Sequence, residues 1–153
     1  MDDFKIGQLT KEIVAAKLRE LPDPCVAAVK LSTDTLRVAL KGVEAGSTGD
    51  TAVVQDACQG CMTALLLNDQ NLPHGAVLLL EAVVELAAEL NLDQMELMKS
   101  ALRGISDMKR FAPNVMADIS NALEARFTGA GRAFDALCRE VQAGGASAVA
   151  PKG

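Results

Sequence analysis

Fifteen consecutive residues, Ala76-Val-Leu-Leu-Leu-Glu-Ala-Val-Val-Glu-Leu-Ala-Ala-Glu-Leu90, include only three that are not apolar. Those three, Glu81, Glu85 and Glu89, recur at every fourth position. That interval puts them on one side of an α-helix, whereas a strand alternates its side chains between two faces. The run is therefore read as a helix with one polar edge, apolar around most of its circumference. Such a helix needs cover from other helices or from another chain.

The rest of the chain suits that demand. Half of the 153 residues are apolar, yet only 3% are aromatic, with no Trp and no Tyr. The core must be assembled from Ala, Val, Leu, Ile and Met, and Ala and Leu are strong helix formers. The expected fold is all-α: one domain built as a bundle of about six amphipathic helices around a very apolar central helix at about 73–90. The length is sufficient for a core without disulfide staples. The domain is expected to span 1–142, followed by a flexible tail over 143–153.

Helices are expected at about 10–21, 24–45, 51–67, 73–90 and 94–111, with a sixth from about 115 that is broken or kinked at Gly129-Ala-Gly131. Thr10, Asp50 and Asp93 are the expected N-caps. Pro22-Asp-Pro24 ends the first helix, and Pro73 suits the first turn of the fourth. Val29, Thr33, Leu36, Leu40 and Val43 form the expected stripe of the second helix. Met95, Met98, Leu102, Ile105 and Met108 form that of the fifth. Gly42, Gly60 and Gly104 each weaken a helix interior by ~1 kcal/mol relative to Ala, so they are expected at close helix crossings. Leu36-Arg-Val-Ala-Leu-Lys-Gly-Val43 resembles Met98-Lys-Ser-Ala-Leu-Arg-Gly-Ile105, a faint repeat within the chain.

Charge is unevenly distributed. From Gly42 to Met98 there is no Lys and no Arg, but nine Asp and Glu. The chain as a whole carries a net −5. This balance argues against nucleic acid, whose affinity comes largely from cations on phosphates. No run is long and uncharged enough for a membrane span. The first residues lack the basic and apolar regions of a secretory signal, so a cytoplasmic setting with reduced thiols is expected.

Three features bear on chemistry. Cys58-Gln-Gly-Cys61 has the spacing of a redox or metal-binding pair, and His74 is the only histidine. A reactive thiol needs a helix N-terminus or a nearby cation, and Cys58 is expected two turns inside a helix in a block without cations. Structural zinc sites usually have two close ligand pairs, and only one is visible. The Glu81, Glu85, Glu89 stripe could dock a basic partner, or it could pair internally with Arg37, Lys41, Lys99 or Arg103. The leucine triplets supply Leu66, Leu67, Leu78 and Leu79 as apolar interface candidates.

The preferred expectation is a non-catalytic helical interaction or binding module acting as a homo-oligomer, with a dimer favoured, and with a protein or an apolar small molecule as a further partner. No cofactor is expected. A thiol redox or metal-binding protein using Cys58, Cys61 and His74 is the alternative. A lipid-associated amphipathic helical protein is the second.

Overall fold

A computed structural model describes residues 7, 10–13, 24–42 and 48–149. The described residues form helices and connecting turns, with no strand among them. Six α-helices follow residues 10–13, which are themselves helical. They are α1 (Pro24–Lys41), α2 (Thr48–Leu67), α3 (Leu72–Glu89), α4 (Gln94–Ser106), α5 (Met116–Arg126) and α6 (Ala130–Val149). Two short 3-10 turns, Asp107–Arg110 and Pro113–Val115, join α4 to α5. The all-α bundle expected from composition and periodicity is the observed fold.

Caps set several of the boundaries. Asn71 Oδ1 accepts the His74 N–H at 3.0 Å and starts α3, with Pro73 in its first turn. Asp93 Oδ1 accepts the Glu96 N–H at 3.1 Å and starts α4. At the other end, α2 and α3 stop in the same way. Asp69 and Asn91 take left-handed backbone angles, φ 55° and 58°. The following amides, of Gln70 and Leu92, then reach back to the carbonyls of Leu65 and Ala87 at 2.9 and 2.8 Å. Asp and Asn tolerate this conformation better than most residues, which is why polar loops mark both ends.

Several boundaries differ from the sequence expectation. α1 stops at Lys41 rather than 45, and Gly42 is in a turn. α2 begins at Thr48, so Asp50 lies inside the first turn, where its charge suits the helix dipole, instead of capping it. The expected fifth helix gives way to 3-10 geometry after Ser106. Thr10 is buried and residues 10–13 are helical, and residues 14–21 of the expected first helix lie outside the described residues, as does Val43. The expected tail is helical through Val149: the next proline is Pro151, and Ala-rich sequence lets α6 continue.

α2 packs most extensively on α4, and α3 contacts α1, α2, α4 and α5. The core draws on all six helices, with Leu36, Met62, Leu65, Leu80, Leu86, Leu97, Ile105, Ile119, Leu123 and Phe134 among its largest buried side chains. α3 is not enclosed on every side as a central helix would be: His74, Glu85, Ala88 and Glu89 are exposed. On α2, Cys58, Gly60, Cys61, Met62, Ala64 and Leu65 are all buried. Glycines at its contacts let neighbouring segments approach it closely. A Cβ on Gly60 would run into the backbone of Gly7, and a Cβ on Gly104 of α4 would run into the Gln55 carbonyl of α2.

Gly42 plays no such part: a Cβ there would meet only the Ala39 carbonyl at 3.6 Å. The matching glycines of the faint repeat therefore do different jobs, one ending a helix and one permitting a crossing. α5 and α6 separate where Gly129 takes φ +90°, a value that favours glycine. The Glu124 carboxylate spans this break, accepting the N–H groups of Gly129 and Gly131 at 2.9 Å each. Those bonds, the Gly129 one foremost, hold its pKa below the usual carboxylate range.

Candidate interaction surface

The thiols come together, but inside the core. Cys58 and Cys61 are 0% exposed, three residues apart in the middle of α2. Cys25 of α1 is 3% exposed and its Sγ–H donates to the Asn71 carbonyl at 3.6 Å. Burial pushes the Cys58 thiol well up from its ordinary pKa, with neighbouring Cys61 adding to the effect. Burial pushes Cys61 up to about 12, with the Ser32 hydroxyl pulling the other way. These are packed, protonated thiols, the opposite of the electropositive, accessible setting that makes a nucleophilic cysteine. His74 does not join them: it is exposed at the start of α3. Among the described residues no group of three His, Cys, Asp or Glu side chains is placed to hold a metal ion.

The glutamate stripe is divided between two neighbours. Glu89 forms a two-pronged bridge with Arg37 of α1, at 2.8 Å to Nε and 3.1 Å to Nη2. Arg37 also holds Asp34 at 3.0 Å, and Asp34 meets Lys30 at 3.5 Å. The Arg37 hydrogen bonds draw the Glu89 pKa down, and Glu89 in return raises that of Arg37. On the other side, Glu81 binds Arg126 of α5, whose guanidinium lies 4.9 Å from the Phe127 ring. α3 is thus clasped from α1 and from α5. Glu85, midway between, is exposed and makes no ion pair with any described residue.

Sequence reasoning named Arg37 as a partner of the stripe but missed Arg126. Nothing in the sequence places α5, and with it Arg126, beside Glu81 on α3. Lys99 and Arg103, also expected at the stripe, instead line a polar cleft of about 260 Å³ between α2 and α4, with Thr51, Gln55, Glu96 and Ser100.

The leucine candidates separate as well. Leu79 is 2% exposed and belongs to the core, Leu66 and Leu78 are half-buried, and Leu67 is 66% exposed at the end of α2. Leu78 alone of these lines an open trough of about 280 Å³ between α1 and α3. Its apolar lining is Val26, Val29, Leu78 and Ala82, and Lys30, Thr33, Asp34 and Arg37 edge it. Val26 is 47% exposed. It lies outside the stripe read from the sequence, although it is one turn before Val29 and Lys30. Met95, expected in the apolar stripe of α4, is 71% exposed: the buried face is centred on Leu97, Ala101, Gly104 and Ile105 instead.

No described helix is long and apolar enough to cross a membrane. Comparison of the chain with protein-family models, with curated proteins and with solved structures gave no match.

Proposed function

We propose that this chain is a non-catalytic helical interaction module that works as a homo-oligomer, a dimer in the simplest case. The observation that carries the reading is the trough between α1 and α3. It has an apolar floor with Val26 exposed and Leu78 half-buried, and charged side chains at its edge. An apolar centre with a polar rim is the usual anatomy of a protein–protein interface. Two further observations support it. The thiols that would carry a redox role are sealed in the core, and two of the three stripe glutamates are used to hold the fold together. Four cysteines without disulfides suit a reducing, cytoplasmic setting.

Native mass spectrometry of the purified chain tests the reading in one spectrum. A dimer of unmodified chains, with no metal, supports it. A monomer at every concentration, or a stoichiometric metal, contradicts it.

A further inference from the structure

We infer that the occupant of the α1–α3 trough is a second copy of this chain, related by a two-fold axis that runs along the two helices. This rests on the homo-oligomer reading above and assigns its surface.

The first support is the charge on the two outer faces. Helical spacing puts Val26, Lys30, Asp34, Arg37 and Lys41 on one side of α1, and Leu78, Glu81, Ala82, Glu85 and Glu89 on one side of α3. The α1 face holds three cations and one anion, and the α3 face holds three anions. Two adjacent stripes of opposite sign are self-complementary when a second copy is turned over onto them.

The second support is what these two faces leave over after their own pairing. Arg37 takes Glu89 and Asp34, Lys30 takes Asp34, and Arg126 takes Glu81. Of the charged residues on these two faces, Lys41 on α1 and Glu85 on α3 make no ion pair with any described residue. Both are exposed. Lys41 influences Glu89 only through space.

The third support is the direction of the helices. Cys25, near the start of α1, bonds Asn71 at the start of α3, and Arg37 reaches Glu89 near the far ends. The helices therefore run the same way, side by side. A two-fold axis along them lays α1 of one copy over α3 of the other without changing height. Lys41 closes α1 and Glu85 lies a turn before the end of α3. Both therefore sit ~20–25 Å from their helix starts. The axis brings Lys41 opposite Glu85 twice over, beyond an apolar patch that lies nearer the helix starts and is made of Val26, Val29, Leu78 and Ala82 from each copy. Two helices of about 27 Å form a face of several hundred Å² per chain, the size of a modest, reversible dimer.

Sedimentation equilibrium on the full chain tests this with Lys41→Glu, Glu85→Lys, the double variant and Leu78→Glu, each checked for wild-type helicity by circular dichroism. Each charge reversal is expected to weaken the dimer about tenfold, because symmetry repeats the pair and reversal turns attraction into repulsion. The double variant is expected to recover to within about threefold of wild type. Leu78→Glu is expected to leave monomer. A dimer indifferent to Leu78→Glu overturns this surface and leaves the homo-oligomer reading standing. Failure of the double variant to recover overturns the two-fold pairing. Monomeric wild type overturns both, and so does wild type that associates only with a different protein.

Discussion

Replacing Gly104 with alanine adds one methyl group where α4 crosses α2 most closely. The new Cβ would press on the Gln55 carbonyl oxygen and sit 3.0 Å from Cys58 Cβ and 3.1 Å from the Gln59 nitrogen. None of these can rotate away: two are backbone atoms, and the third is fixed to the backbone in the middle of a helix. The helices must move apart, and the loss spreads to neighbours such as Cys58, Ala101 and Ile105, all nearly fully buried. Overpacking of a filled core costs about 1–3 kcal/mol, and rigid neighbours favour the upper half of that range. Helix propensity works the other way, favouring alanine by ~1 kcal/mol. The net expectation is a destabilisation of ~1–2 kcal/mol, which lowers Tm by roughly 2–8 °C in a chain of this size. Gly42→Ala supplies the control, because its Cβ meets only one carbonyl at an ordinary 3.6 Å. Calorimetry and urea titration of both variants decide the matter. A Gly104→Ala protein as stable as Gly42→Ala, or more stable than wild type, would refute the claim that this glycine exists for the crossing.

Leu79→Ala removes a 2%-exposed core side chain and is expected to cost about 2–5 kcal/mol in urea titration. Leu67→Ala, at a position 66% exposed, should change stability by less than ~0.5 kcal/mol. Ellman's reagent at pH 8 should find the four thiols slow to react in the native protein and all reactive in urea; one thiol reacting within seconds in the native state would overturn the packed-core reading. The lowered pKa of Glu124 means its contribution is present above the unfolded carboxylate value and is lost as pH falls through the folded one. Melting curves from pH 7 to pH 3 should show wild type losing its advantage over Glu124→Gln across that acid window, and a constant gap would contradict the role given to its bonds with Gly129 and Gly131.

What the sequence made legible was local. The 3.6-residue periodicity, Pro73 and the capping residue Asp93 are properties of neighbouring positions, and α3 and α4 begin within a residue of where those signals place them, whereas the Asn71 cap was visible only in the structure. Gly104 was also readable, because a costly glycine within an apolar helix needs a packing reason. The misses share one cause. Which side of α4 faces inward depends on where α2 lies, so a stripe drawn through Met95 looked as good as the observed one through Leu97 and Ala101. The Glu81–Arg126 pair joins helices whose contact is set by the whole bundle. Leu78 and Leu79 are adjacent in sequence, and helical geometry points them about 100° apart; only the positions of the neighbouring helices make one a core residue and the other part of an open trough. The thiols were placed correctly inside a helix, but the approach of Cys25 from α1 to the pair on α2 had no signature in their spacing.

Binding of a second copy at the α1–α3 face is the proposal on which the most depends. Native mass spectrometry of wild type and Leu78→Glu, side by side across a range of micromolar concentrations, tests it most directly. The expected result is a wild-type species at twice the 16.0 kDa chain mass that grows with concentration, and a variant that stays monomeric with unchanged helicity. Wild type that remains monomeric throughout, or a variant that dimerises as well as wild type, would contradict it.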